Sequence, residues 1–351
     1  MQAVRITDAK VLDVAMEPVK SEISPPCGVV GTGTTFAVNH NADNALVSLR
    51  YVLKDADMQI AEEPFEANGT KFTRGSLVIT RVPQDELDRV VKDLGLKAYA
   101  IAAAPAVKLH AARAARVAIL HGWTNTQTEG WWRQAFDVYR IPYDYIDPQA
   151  IRDTPNLRAK YDVIVFGPGG NQSAVQGLPL WRTPIPYRHS TETPNIGTWA
   201  QTDDTRIGMG LQGLMHLREF IEAGGVFIGS NSSAEFAIAN FTYGVSLNRP
   251  GTTSRVVGSL LRTRIVDHAS PIVYGMPDNL AMHSDSGESF GVSANVGGGG
   301  RGAGGGAQGA AGGGRGGGPG GRPTGRGTPD DPDVVQGRGP GPDAVGGHRR
   351  R

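Results

Sequence analysis

Residues 161–170 read YDVIVFGPGG, and this stretch decides the fold class of the chain. The continuous run of residues 162–166 predicts a strand that is buried on both faces, as strands of parallel sheets are. Similar short runs stand at residues 117–120 (VAIL) and 226–229 (VFIG), and segments with helical spacing separate them. Alternating strands and helices need crossover connections. The sequence therefore predicts an α/β fold built on a doubly wound, mostly parallel sheet.

The same rules predict the other elements of this region. Residues 143–146 and 260–266 predict two further strands, and residues 171–210, rich in Pro, Thr and Trp, predict an irregular stretch. Two helices show apolar side chains at helical spacing. These side chains are Trp132, Phe136 and Tyr139 in one helix, and Leu214, Leu217 and Ile221 in the other.

Residues 1–112 predict a small α/β unit ahead of this sheet. The apolar runs at residues 34–38 and 77–80 are typical of strands. Helical patterns cover residues 41–54 and the segment that Pro83 opens, since proline suits the first turn of a helix.

Three short stretches of this unit are rich in small residues. Asn68-Gly69 predicts a turn, because both residue types tolerate positive φ. Residues 28–33 (GVVGTG) predict a turn before a strand, since no Lys-Ser/Thr follows to complete a phosphate-binding loop. Residues 98–104 carry small apolar side chains that fit a strand or a linker.

The end of the chain has a different composition. From residue 297 it reads GGGGRGAGGGAQGAAGGGRGGGPGGRPTGRG, with almost nothing apolar to bury. Such a segment cannot offset the entropy of ordering a glycine chain. Residues 291–351 are therefore expected to be a disordered Gly/Arg-rich tail, and residues 113–290 to be the α/β domain.

Charge and cysteine content exclude several function classes. The formal net charge of +1 implies no bulk attraction to nucleic acid or to an acidic membrane. Cys27 is the single cysteine, which excludes an intramolecular disulfide and a thiolate-rich zinc or iron–sulfur site. No apolar run approaches the roughly 20 residues that span a bilayer, and the first residues lack the pattern of a signal peptide. No membrane partner is expected.

Five segments, taken in chain order, resemble a known family. They are NHNADNALVSLRYVLKDADMQIAEEPF (39–65), HGWTNTQTEGWWRQAFDVYRIPYDYI (121–146), YDVIVFGPGG (161–170), LREFIEAGGVFIGSNSSAEFAI (217–238) and GSLLRTRIVDHASPIVYGMP (258–277). Together they look like the C-terminal region of bacterial zinc carboxypeptidase-like metallopeptidases of the carboxypeptidase A superfamily. In those proteins a peptidase domain precedes a domain similar to class I glutamine amidotransferases.

The resemblance covers roughly residues 30–290 and carries several expectations. It implies a flavodoxin-like, class I glutamine amidotransferase-like fold for residues 113–290. It also implies that the chain is the rear part of such a protein, with the peptidase domain absent. Zinc is then expected only in that absent domain, and this chain needs no cofactor. The partner would be the peptidase domain of the same parent protein or a peptide substrate, and the location would be secreted or periplasmic.

The family's zinc motif, His-x-x-Glu with a distant His, has a literal match at residues 216–219 (HLRE). Zinc needs three protein ligands that converge on an open position. The pair His216 and Glu219 lies instead inside the amphipathic helix that ends at Gly224, whereas the family's motif lies in the peptidase domain. We interpret the match as a coincidence and expect no metal site in this chain.

The catalytic turn of the amidotransferases matches residues 228–232, which lack the family's cysteine. Their His-x-Glu motif has its nearest match at residues 268–270 (HAS), where the carboxylate is missing. Ser230 does not complete the hydrolase pattern G-x-S-x-G, because Ser232 stands at the second glycine. No catalytic residue is assigned. Ser232 and Asn231 are expected to be helix caps, and Glu235 to complete a capping box with Ser232.

A ligand crevice is expected at the carboxyl ends of the strands, where doubly wound folds bind ligands. Gly169 and Gly170 follow a central strand and permit close backbone approach. Glu129, with Trp123 and Trp131 nearby, fits the edge of this crevice. The preferred alternative is a favourable charge in the first turn of a helix, beside core tryptophans. The candidate crevice residues are Trp123, Glu129, Gly169, Gly170, Ser230 and Asn231.

The sequence as a whole predicts a non-catalytic accessory region that packs on the peptidase domain or binds part of its substrate. A weak hydrolase or amidase using Ser230 is one alternative. Nucleic-acid binding through the tail is another, since its Gly/Arg fragments are similar to RNA-binding segments. The tail lacks aromatic residues for base stacking, so a flexible linker is the preferred interpretation of it.

Overall fold

The computed structural model describes residues 7–18, 20–21, 25–124, 126–178, 182–249, 258–284 and 288–292. All of them fall within one compact unit, Met1–Gly298. The chain is mixed α/β with several sheets, one of which is a parallel sheet of four strands. The predicted tail lies outside the described residues from residue 293 onward, and the domain boundaries near residues 112 and 290 stay predictions. No helix within these ranges is long and apolar enough to cross a bilayer.

The elements up to residue 111 build a first sheet. They are α1 (Ala9–Leu12), β1 (Gly28–Val30), β2 (Thr35–Val38), α2 (Ala45–Val52), β3 (Asp57–Ala61), β4 (Phe65–Ala67), β5 (Thr70–Phe72), β6 (Leu77–Thr80), α3 (Gln84–Asp93), β7 (Lys97–Ile101) and β8 (Leu109–Ala111). Six strands form the N-terminal sheet, in the order β1-β7-β2-β6-β3-β8. Only β1 and β7 pair in parallel, and the other neighbours are antiparallel.

Pairing between strands decides the secondary structure of the stretches rich in small residues. Residues 28–33 were expected to be a turn, but they begin with β1, which pairs with β7. The undecided stretch after residue 97 is strand β7 itself, between β1 and β2. The predicted turn at Asn68-Gly69 is confirmed: both residues have positive φ, 50° and 73°, and they join β4 to β5.

Apolar side chains at helical spacing hold α2 and α3 on this sheet. Leu49 of α2 and Leu87 and Val91 of α3 are fully buried in one cluster with Phe36 and Ile79 of the strands. The core of the N-terminal sheet is therefore made of aliphatic and aromatic residues supplied by both layers.

The elements from residue 117 to residue 241 build the parallel sheet. They are β9 (Val117–Leu120), α4 (Thr126–Val138), β10 (Tyr143–Ile146), α5 (Pro148–Asp153), α6 (Leu157–Lys160), β11 (Val163–Phe166), α7 (Ser173–Gln176), α8 (Gly210–Glu222), β12 (Val226–Gly229) and α9 (Ser232–Phe241). The strand order is β10-β9-β11-β12, and every pair is parallel. The four strands predicted at these positions are confirmed.

The strand order determines where the topological switch point of this sheet lies. From β9 the chain continues to β10 on one side and then to β11 on the other side of β9. The topological switch point therefore lies between β9 and β11. Ile119 of β9 and Ile164 of β11 are fully buried, as the apolar runs of central strands predict.

The last strands stand outside the parallel sheet. They are β13 (Val245–Asn248), β14 (Ser259–Arg264), β15 (Asn279–Ser284) and β16 (Ser289–Val292), with a 3₁₀ helix at Pro271–Val273. They form two antiparallel pairs, β13 with β16 and β14 with β15. The strand predicted at residues 260–266 thus exists as β14, but it belongs to a hairpin. Leu260 is 75% exposed, which a buried strand of a parallel sheet would not allow.

Candidate functional site

The loops after β9 and β11 meet at the switch point, which is where open α/β sheets bind ligands. His121 follows β9 directly, and Gly167 follows β11 directly. A Cβ atom built on Gly167 would lie 3.1 Å from the Cβ of Glu129 in α4. Glycine at position 167 therefore lets the first turns of α4 approach the end of β11.

A cavity of about 150 Å³, called the edge cavity below, opens at this place. It is lined by Trp123 and Glu129, two of the residues that the sequence assigns to a crevice. Trp131 does not line it and is 65% exposed, so the interpretation of the tryptophans as core residues is wrong for Trp131. The other lining residues are His121, Gly122, Thr126, Arg133, Tyr145, Tyr187, Trp199 and Ala200.

Glu129 is a buried carboxylate, only 4% exposed. The Tyr145 hydroxyl donates a hydrogen bond of 2.8 Å to its Oε2 atom. Burial raises the pKa of Glu129, while this hydrogen bond and the charge of Arg133 act in the opposite direction. Glu129 does lie in the first turn of α4, but it is buried there rather than exposed as a surface charge.

His121 packs flat against Tyr145, with ring centroids 4.0 Å apart, and is 3% exposed. Its Nδ1 atom lies 2.9 Å from the carbonyl oxygen of Gly122, to which it can only donate. Burial lowers the pKa of His121. The ring is therefore neutral at pH 7, and its Nε2 atom is a hydrogen-bond acceptor.

Arg133 lies one turn after Glu129 on α4. Its guanidinium carbon is 4.3 Å from the ring centroid of Tyr145 and 4.7 Å from that of Trp199. Aromatic faces attract a cation in this position. The two rings therefore hold the guanidinium at the cavity.

Unpartnered polar atoms concentrate in this cavity. Within the described residues, four buried side-chain nitrogen or oxygen atoms have no hydrogen-bond partner: Arg50 Nε, His121 Nε2, Glu129 Oε1 and Arg133 Nε. Three of the four belong to residues that line the edge cavity. Buried polar atoms are normally satisfied, so the residues around this cavity keep hydrogen-bonding capacity that the described part of the chain does not use.

Part of the irregular stretch predicted at residues 171–210 forms a wall of the cavity. Tyr187 and Thr202 exchange two backbone hydrogen bonds of 2.9 Å each, and Trp199 lies between them in the chain. Gln149 of α5 ties this wall to the sheet. It accepts a 2.9 Å hydrogen bond from Trp123 Nε1 and donates one of 3.1 Å to the carbonyl of Asp204.

A sharp elbow joins β12 to α9 at the same edge of the sheet. Asn231 stands at its apex with φ 58° and ψ −127°, a conformation that costs a residue other than glycine about 1–3 kcal/mol. Hydrolases of the α/β class present their nucleophile on a strained strand-to-helix turn of this kind. Here the exposed apex residue is an asparagine, whose carboxamide is not a nucleophile, and Ser230 precedes it.

The predicted capping box at this helix is wrong. Ser232 is already the first residue of α9, and Asn231 makes no side-chain cap hydrogen bond. The buried Ser233 fixes the turn instead: its Oγ accepts from the Ser230 amide at 2.8 Å and donates to the Phe166 carbonyl at 2.6 Å. Because the chain reverses at Asn231, the hydroxyl that reaches back comes one residue later than predicted.

The remaining crevice candidates lie between the elbow and β11. The amide of Gly169 donates a 3.2 Å hydrogen bond to Ser232 Oγ, so the glycine loop and the elbow are in contact. A Cβ atom on Gly170 would lie 2.4 Å from the ring of Phe166. Gly170 is therefore required by internal packing, rather than by the approach of a ligand.

The two motif matches of the sequence take other positions. His216 Nδ1 is 3.1 Å from the carbonyl oxygen of Ile151, while Glu219 is exposed. His268 is a surface residue beside Asp278, 3.9 Å away. Among the residues that the structure describes, no three His, Cys, Asp or Glu side chains are grouped as metal ligands.

Comparison with known proteins identifies no relative of this chain. No protein-family model matches the chain, and comparisons with curated proteins and with solved structures give no significant match. A function has to be argued from the edge cavity and the elbow themselves.

Proposed function

We propose that the chain is a non-catalytic accessory region of a zinc carboxypeptidase-like metallopeptidase, and that its edge cavity binds part of the substrate. The parallel-sheet region would have a flavodoxin-like, class I glutamine amidotransferase-like fold. The order β10-β9-β11-β12 supports this, since it matches the first four strands of the flavodoxin-like order 2-1-3-4-5. The partner would be a peptide substrate or the peptidase domain of the same parent protein.

The observation that carries the proposal is the set of unpartnered atoms in the edge cavity. His121 Nε2, Glu129 Oε1 and Arg133 Nε are buried at the switch point without partners. Each such atom costs about 1–3 kcal/mol when it stays unsatisfied. A ligand that supplies the partners recovers this free energy. A concave site with aromatic walls and a few convergent polar groups is the general form of a ligand site.

The elbow favours binding over catalysis. Its apex residue, Asn231, has no nucleophilic atom. Within the described residues, no hydrogen bond joins the Ser230 hydroxyl to an imidazole or a carboxylate, although a serine nucleophile needs such a base. A weak hydrolase or amidase using Ser230 is the alternative function. Nucleic-acid binding through the tail is another, and it depends on residues outside the described ranges.

A covalent probe separates binding from hydrolysis. The full chain is incubated with an alkyl fluorophosphonate, and the intact mass is measured beside that of Ser230→Ala. We expect no adduct on either protein, because nothing activates the Ser230 hydroxyl. A stoichiometric adduct that disappears in Ser230→Ala would replace the proposal by the hydrolase alternative.

A further inference from the structure

We infer that the edge cavity binds a single pyranose ring, so that the proposed peptide substrate carries a sugar and the cavity takes up that sugar. This inference rests on the proposed binding function and adds the chemical class of the ligand. It follows from the size of the cavity, from the hydrogen-bonding character of its unpartnered atoms, and from its aromatic walls.

The size of the cavity limits the ligand to one ring. Its volume is about 150 Å³. A cavity of roughly this volume in another protein accommodates one benzene molecule. A bare six-membered ring of this size fits inside, so a pyranose fits only if some of its substituents extend through the open side of the cavity, and several residues of a peptide chain do not fit.

The unpartnered atoms require a ligand that both donates and accepts hydrogen bonds. His121 Nε2 accepts, because Nδ1 donates to the Gly122 carbonyl. Oε2 of Glu129 already receives the Tyr145 hydroxyl, which leaves Oε1 to accept a hydrogen bond when the carboxyl is ionised or to donate one when it is protonated. Arg133 Nε can only donate. Neighbouring hydroxyl groups on a pyranose satisfy all three atoms, because each hydroxyl has one donor hydrogen and two acceptor lone pairs.

Charged ligands satisfy this set less well. An ammonium group has no acceptor for Arg133 Nε and would lie beside a guanidinium. A carboxylate has no donor for His121 Nε2. Burial also raises the pKa of Glu129 and lowers the pKa of His121, so the cavity disfavours charge on these two groups. A neutral ligand agrees with both facts.

The aromatic walls match the shape of a sugar ring. Trp123 and Tyr187 lie 5.5 Å apart between ring centroids, and Trp199 extends the wall toward solvent with 66% of its surface exposed. Aromatic faces carry partial negative charge. The C–H groups on one face of a pyranose carry partial positive charge and pack on such a surface, while hydroxyls at the edge of the ring stay available for the polar groups of the cavity.

A primary carboxamide is the strongest competitor, since its NH₂ group offers two donors and its carbonyl one acceptor. Calorimetric titration of the full chain separates the classes. The probes are the methyl glycosides of glucose, galactose, mannose and N-acetylglucosamine, together with benzamide and butylamine. We expect at least one glycoside to bind saturably, and benzamide and butylamine to give no binding heat.

Two tryptophans with almost equal exposure give a matched pair of variants. Trp199→Ala removes a wall of the cavity, and Trp131→Ala removes a side chain outside it. We expect at least a tenfold loss of glycoside affinity in Trp199→Ala and none in Trp131→Ala. Arg133→Lys keeps the positive charge but lacks the Nε–H donor, and it should also weaken binding.

Three results would overturn the sugar assignment. One is binding of benzamide or butylamine without any glycoside. Another is glycoside binding that both tryptophan variants leave unchanged, and the third is no binding by any probe. Binding of benzamide or butylamine alone would leave the proposed binding function standing while removing the sugar assignment, whereas an adduct on Ser230 would remove the proposed function itself.

Discussion

The N-terminal sheet and the parallel sheet bury polar side chains of different kinds. Around the N-terminal sheet these are Ser48 and Ser76, whose hydroxyls donate to backbone carbonyls at 2.6 and 2.7 Å. Around the parallel sheet they include His121 and Glu129, each with one unpartnered atom. Arg50 Nε is the exception in the first region, and its terminal nitrogens bond backbone carbonyls. In the parallel-sheet region Ser233 is buried and bonded as well, so what distinguishes that region is the pair His121 and Glu129, each of which keeps one unpartnered atom.

Strand direction explains why the unpartnered polar atoms lie at the parallel sheet. Most neighbours in the N-terminal sheet are antiparallel, so their ends alternate between the two edges. The parallel sheet brings the carboxyl ends of all four strands to one edge. The loops that leave those ends are collected there, and with them the aromatic and titratable side chains of the cavity.

The largest expected effect comes from opening the two cores. Phe36 and Phe166 are 0% and 1% exposed, one in each sheet. Replacing either by alanine should lower the free energy of unfolding by about 3–5 kcal/mol. All five tryptophans follow residue 120, so their fluorescence reports on the parallel-sheet region alone.

Because the tryptophans report on one region, the two variants test whether the two regions unfold together. The two regions are joined by hydrogen bonds from Ser48 Oγ to the Tyr139 carbonyl (2.6 Å) and from the Tyr51 hydroxyl to the Ala115 carbonyl (2.7 Å). We therefore expect Phe36→Ala to shift the urea midpoint of tryptophan fluorescence as well as that of circular dichroism. An unchanged fluorescence midpoint would mean that the two sheets unfold separately.

A smaller effect is expected at the elbow, where two adjacent serines differ. Ser233→Ala leaves the Ser230 amide and the Phe166 carbonyl without their buried partner and should cost about 1–3 kcal/mol. Ser232→Ala removes only the acceptor of the Gly169 amide and should cost less. Urea denaturation of both variants measures the difference. Equal losses, or a larger loss in Ser232→Ala, would restore the capping box that the sequence predicts.

The sequence predicts the parallel sheet well because the signal is local. The runs at residues 117–120, 162–166 and 226–229 are strongly apolar, and all three become neighbouring strands. The burial predicted for the third run is wrong, because β12 is an edge strand whose Val226 and Ile228 are 51% and 40% exposed. Strand β1 was not predicted, because the composition of GVVGTG does not indicate a strand by itself. These residues form a strand because they pair with β7, which lies far away along the chain.

The site is predicted only in part, for a similar reason. Trp123 and Glu129 stand close in the chain and after a recognisable strand, so they could be placed at its carboxyl end. Tyr187 and Trp199 come from an irregular stretch. Its path is set by hydrogen bonds to Gln149 and between Tyr187 and Thr202. Periodic sequence patterns do not predict such bonds. The concentration of tryptophan in that stretch was the available signal. The apex of the elbow was misplaced because an asparagine beside two serines fits a helix cap as well as a residue with positive φ, and the structure shows positive φ at Asn231.

The smallest expected effect is the pH dependence that Glu129 gives to stability. Burial raises the pKa of Glu129 in the folded chain above its ordinary value of 4.5. The carboxyl group is therefore easiest to bury when protonated, and its contribution to stability is lost as the pH rises from 4.5 through the raised value. Glu129→Gln removes this loss. Its stability relative to the wild type should rise with pH across that window, by less than the cost of Ser233→Ala.

The groups beside Glu129 allow the pH dependence to be assigned to this carboxyl group. Arg133 stays charged throughout, and the pKa of Tyr145 is raised by burial and by Glu129, so neither titrates in this window. Tyr145→Phe removes the hydrogen bond that opposes burial, and it should extend the decline of stability to higher pH. Urea midpoints of the wild type and both variants between about pH 4 and 8 measure these differences. A stability difference between wild type and Glu129→Gln that stays constant over this range would mean that Glu129 is hydrated in solution. The edge cavity would then be a hydrated surface cleft rather than a binding site.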